Sequence, residues 1–100
     1  MNLDDPSFWQ AVEELRELAV NGAELSELLK LAKARAGKGK PVLACAIFYR
    51  AFDLPMQVVT SLGAWTGFEE QFGNPGRTAE ELDEEYGDLI RAHAQRLARD

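Results

Sequence analysis

The sequence predicts an all-α fold, a compact bundle of about five helices with the central one buried. Three observations predict it. Apolar residues recur at helical spacing along most of the chain. Capping residues and Gly or Pro breakers fall at the intervals expected of helix ends. In two segments the acids come first and the bases last, as the helix dipole favours. At 100 residues, 46% hydrophobic and 28% charged, the chain amounts to a single domain over 1–100, able to bury a core without metal or disulfide staples.

The first helix is expected to start at Asp5-Pro6, because Asp is a good N-cap and Pro fits the first helical position. Phe8, Val12, Leu15 and Ala19 form its apolar stripe, with Trp9 beside it, and Asn21-Gly22 is its stop. Leu25, Leu28, Leu29, Ala32 and Ala36 mark a second helix ending at Gly37. Gly37-Lys38-Gly39-Lys40 reads as a charged linker, and Pro41 restarts structure. Periodicity leaves residues 42–49 open between helix and strand, since the run is continuously apolar. Ala44, Ala46 and Ala51, and the lack of any nearby strand to pair with, favour a buried central helix.

A short fourth helix is expected after Asp53 as N-cap, with Met56, Val59, Leu62 and Trp65 on one face. Gly63, Gly67, Gly73 and Asn74-Pro75-Gly76 then mark a loop. Thr78 and Glu81 have the spacing of a capping box at the start of the last helix. Leu82, Tyr86, Leu89, Ile90, His93 and Leu97 would follow its inner face. On that register Leu89 belongs to the core, and Leu89→Asp should unfold the domain. No internal repeat or low-complexity tract is present.

Composition narrows the function. The net charge of −6 is uneven: residues 30–50 hold six bases and no acid, while residues 51–90 hold nine acids and one base. Such a surface favours basic partners and makes nucleic acid an improbable one. The single cysteine, Cys45, lies in an apolar run and reads as a core residue. The first residues are acidic, unlike a signal peptide, and no run is long enough to span a bilayer, so a cytoplasmic location is expected.

Catalytic constellations are missing from the pattern. One histidine, His93, and one cysteine exclude the ordinary zinc frameworks. The acids from Asp83 to Asp88 lack the alternating spacing of a calcium loop. Ala34 and Pro41 stand where a phosphate loop would need Gly and Ser or Thr. No cofactor is implied. A small enzyme built around His93 stays as an alternative.

Two surfaces are candidates for binding. One is the aromatic loop with Trp65, Phe68, Glu69, Glu70 and Phe72, suited to a basic protein partner. The competing reading makes its aromatics a lid on the core. The other is the basic island Lys30, Lys33, Arg35, Lys38 and Lys40, an alternative site for an anionic ligand or nucleic acid. The expected function is therefore non-enzymatic protein interaction, as an inhibitor, an immunity-type antitoxin or a regulatory subunit. In size, acidity and lack of catalytic groups the chain is similar to small bacterial immunity proteins, a likeness that no motif carries. The aromatic content is also compatible with a homodimer.

Overall fold

Local signals explain how the first helix begins and ends. Asp5 accepts a hydrogen bond from Ser7 N at 2.9 Å, Pro6 takes the first position, and α1 runs Pro6–Val20. It stops where Gly22 adopts φ 87°, so that Gly22 N and Ala23 N return to Ala19 O and Leu18 O. Those bonds satisfy carbonyls that the helix itself leaves unpaired. A computed structural model describes residues 5–37, 40–68 and 76–99. In it α1 is followed by α2 (Leu25–Ala36), α3 (Pro41–Phe52), α4 (Met56–Leu62) and α5 (Ala79–Leu82). A π-helical turn, Asp83–Gly87, joins α5 to α6 (Asp88–Arg99), so the last three pieces form one continuous rod. The fold is all-α, a compact bundle.

The central helix is α3, which packs against α1, α2, α4 and α6. The segment left open between helix and strand is thus helical. Ala44, Ile47, Phe48, Ala51 and Phe52 are fully buried on it, and they meet Phe8, Leu15, Leu25, Leu29, Leu62 and Ile90 in one shared core. Phe48 and Phe52 lie with ring centroids 5.9 Å apart. Among the described residues no charged or polar side chain is buried.

The last four carbonyls of α3 would be orphans in an isolated helix. Here each has a partner. Asp53 N, in the left-handed conformation at φ 51°, bonds to Tyr49 O at 2.9 Å. Arg16 on α1 donates from Nε to Ala51 O at 2.7 Å and from Nη2 to Arg50 O at 3.0 Å. His93 on α6 reaches Phe52 O at 2.9 Å through Nδ1. Asp53 therefore ends α3 instead of capping the next helix, and Pro55 occupies the N-cap of α4. Arg16→Ala should cost about 2 kcal/mol, because two charge-assisted bonds are lost and the carbonyls behind them lose their donors. Arg16→Lys should recover only part of this in a urea titration, since an ammonium lacks the planar fork.

A remote group also caps α2. The side chain of its N-cap residue, Glu24, makes no capping bond. Asp83 does so from the π turn, accepting from Leu25 N at 3.2 Å while pairing with Arg91 Nη1 at 3.0 Å. Gly87 makes room for this pair: a Cβ there would stand 2.2 Å from Asp83 Oδ1 and 2.9 Å from Arg91 Nη2. The capping box at Thr78 and Glu81 forms as its spacing predicts.

The π turn corrects the register expected for the last helix. An inserted residue advances the inward face by one position beyond the insertion. Leu82, Ile90 and Ala94 are buried, whereas Leu89 is 39% exposed and His93 sits at the core edge. Met56 was likewise expected to face inward. It is 62% exposed, and Val58 and Val59 take the buried side of α4 with Leu62.

Candidate functional site

Helix α3 is apolar on nearly every side, and a helix of that kind needs cover all round. Its sequence, Pro41 to Phe52, includes one charged residue, Arg50, and the seven residues of α4 include none. The neighbouring helices cover most of α3 but leave one flank open. There Val42, Cys45, Ala46, Tyr49 and Arg50 from α3 face Met56, Val59 and Thr60 from α4 across a groove of about 360 Å³. Val42 is 70% exposed, Met56 62% and Tyr49 37%. Their exposure is grouped, whereas apolar side chains exposed singly are ordinary on a protein surface.

The groove has little chemistry to offer beyond contact. Cys45 is buried in its floor, and desolvation pushes the thiol up to about 12, so it stays protonated at neutral pH and behaves as a small hydrophobe. Thr60 has its hydroxyl bonded to Met56 O at 2.9 Å. Arg50 stands at the rim as the one ionised group among the lining residues.

The residues singled out from the sequence are placed elsewhere. Trp65 and Phe68 are buried, 7% and 4% exposed, and stack edge to face at 5.1 Å. Thr66 N bonds to Arg77 O and Arg77 N to Ala64 O, clasping the two ends of the loop together. In this arrangement the aromatic pair is buried and lids the core. Glu69, Glu70 and Phe72 lie outside the described residues.

The basic island is similarly divided. Lys33 Nζ donates to Gly67 O at 2.7 Å, and Arg35 holds Glu14 at 2.7 Å. Lys30 and Lys40 are exposed, and Lys38 lies outside the described residues. Two of the four described cations thus serve the fold.

His93 is occupied at Nδ1, which donates a hydrogen bond to the Phe52 carbonyl at 2.9 Å. It does not line the groove. Among the described residues no group of three or more His, Cys, Asp or Glu is placed to hold a metal ion, and no helix is long and apolar enough to cross a membrane.

Several acids of the last helical rod are partly neutralised. Arg77 pairs with Glu85, whose carboxyl it holds below the usual range, and with Glu81 at 3.6 Å. Arg91 pairs with Asp88 and Asp83, both at 3.0 Å, and its own pKa is raised by them. Glu80 and Glu84 remain exposed beside Glu24.

Fold and groove together define an all-α domain with an open apolar flank. No protein-family model, curated protein or solved structure matches the chain.

Sequence reasoning missed the groove. Val42, Tyr49 and Met56 were assigned to buried faces because they are apolar. The available signal was the absence of any polar side on α3, which implies either complete cover or one exposed flank.

Proposed function

We propose that this chain is a protein-interaction domain that acts by binding, with no catalytic step of its own, and that the groove between α3 and α4 is its contact surface. The observation carrying this reading is the grouping of Val42, Tyr49 and Met56, all exposed, around one apolar depression. At longer range the net charge of −6 favours a partner of positive overall charge. Exposed Glu13, Glu17, Glu24 and Glu27 contribute to that field. An inhibitor, an antitoxin or a regulatory subunit would each work in this way.

The test places a photo-crosslinking residue at Met56, at Val42 and, as a remote control, at Glu13. A single adduct from the first two positions and none from Glu13 is expected. Met56→Asp should then weaken the captured partner's binding by about 10- to 100-fold, the equivalent of losing one buried apolar side chain. Its melting temperature should stay near that of the parent, because Met56 is already exposed. Equal crosslinking from all three positions, or unchanged affinity in Met56→Asp, would remove the groove from the function.

A further inference from the structure

We infer that the occupant of the groove is an amphipathic helix of the partner protein, carrying an Asp or Glu that pairs with Arg50. This rests on the reading of the groove as the contact surface and adds the chemistry of what binds there.

Charge supplies the first argument. Arg50 lines the groove, and among the described residues its guanidinium has neither an ion pair nor a hydrogen bond, while its backbone carbonyl accepts from Arg16. Arg16, Arg35, Arg77 and Arg91 each hold an intramolecular acceptor. Arg96 is also free of a described partner, but it lies on α6 and away from the groove. With no acid on α3 or α4, a carboxylate carried by the ligand would complete this surface.

Shape supplies the second. Val42 to Tyr49 spans two helical turns, about 10 Å at 1.5 Å per residue. That length matches anchors at i, i+4 and i+7 on a docking helix. Strand addition would need a free sheet edge, and the described residues form no sheet, only the isolated bridge between Trp65 and Arg77. A polyproline ligand prefers an aromatic-lined groove, and Tyr49 is the one aromatic here. A second copy of this chain fits poorly. Two-fold contact would face the groove with itself and cover both copies of Arg50, with no carboxylate on α3 or α4 of either copy to receive them.

The experiment selects phage-displayed 16-residue helices, with Leu fixed at i, i+4 and i+7 and the other positions random, against the full chain and against Arg50→Glu. Binders of the parent chain should carry Asp or Glu at one fixed register position. Replacing that acid by Lys should lower affinity at least tenfold by fluorescence anisotropy, and Arg50→Glu should restore the Lys peptide. Arg50→Gln, with folding checked by circular dichroism, should weaken the acidic peptide without favouring the Lys one.

Binders that need Met56 but show no acid preference would overturn the Arg50 pairing and leave the groove reading standing. A selection whose binders all ignore Met56→Asp would overturn both. Displacement of the peptide by decanoate at equal affinity would reassign the groove to a small amphiphile. Sedimentation of the chain as a dimer that Met56→Asp dissolves would reassign it to self-association. Either result overturns the inference.

Discussion

Ile90→Asp should abolish cooperative unfolding, while Leu89→Asp should leave a folded protein with only a modest loss. The two positions are adjacent and both apolar, yet Ile90 is fully buried and Leu89 is 39% exposed. At Ile90 the new carboxylate would sit in the shared core, where α6 packs against α1 and α3 and no buried polar side chain is described to meet it. Desolvation of an unpaired polar group costs several kcal/mol, and losing the packed side chain adds about 2–5 kcal/mol. A domain of this size has only about 5–15 kcal/mol in all. At Leu89 the charge stays hydrated, and the loss should be about 1 kcal/mol. Urea titration by circular dichroism reads both. The opposite ranking would mean that α5 continues into α6 as a regular α-helix, without the π turn.

Gly67→Ala is expected to destabilise the fold clearly, although alanine is usually a benign replacement. A Cβ at this position would lie 2.2–2.5 Å from three atoms of the Trp65 ring. The ring has little freedom to move away. It is buried, set edge to face against Phe68, and its backbone is bridged to Arg77. Backbone displacement at Gly67 would also disturb its carbonyl, the acceptor for Lys33. Overpacking of this kind costs about 1–3 kcal/mol, and each kcal/mol shifts the melting temperature of such a domain by roughly 4–8 °C. A drop of about 10 °C in a thermal melt is expected. Trp65→Phe should partly rescue Gly67→Ala, a non-additive pair that reports direct contact. Full additivity would place the two residues out of reach of each other.

Residues whose partners are near in sequence were legible in advance. Asp5 with Ser7, Gly22 with Ala19, and Thr78 with Glu81 are all local, and each forms as its spacing implies. The aromatic loop shows the opposite case. Trp65 and Phe68 carry the composition of a binding surface, but clasping by Arg77 turns them inward. Composition reports what a side chain prefers, and only packing decides which preferences are met. Met56 and Val42 make the same point from the other direction, being apolar residues that stay largely exposed.

Gly87 was the one local sign of the register change in the last helical rod. A glycine inside a strongly periodic helix lowers its propensity and needs a reason. The reason is the Asp83–Arg91 pair, which occupies the volume a side chain would fill. That pair in turn caps α2 from 58 residues away, so the glycine serves a helix other than its own.

By itself the sequence determined that the chain is helical, where most helices begin and end, and which face of α1 and of α2 is apolar. Those features depend on capping and periodicity, interactions that close within one or two turns. Tertiary structure alone decided the inward face of α6, the partners of the carbonyls ending α3, and the flank of α3 left open to form the groove. Arg16, His93 and Asp83 act on residues 34 to 58 positions away. No local pattern specifies such pairings, because they exist only once the helices have packed.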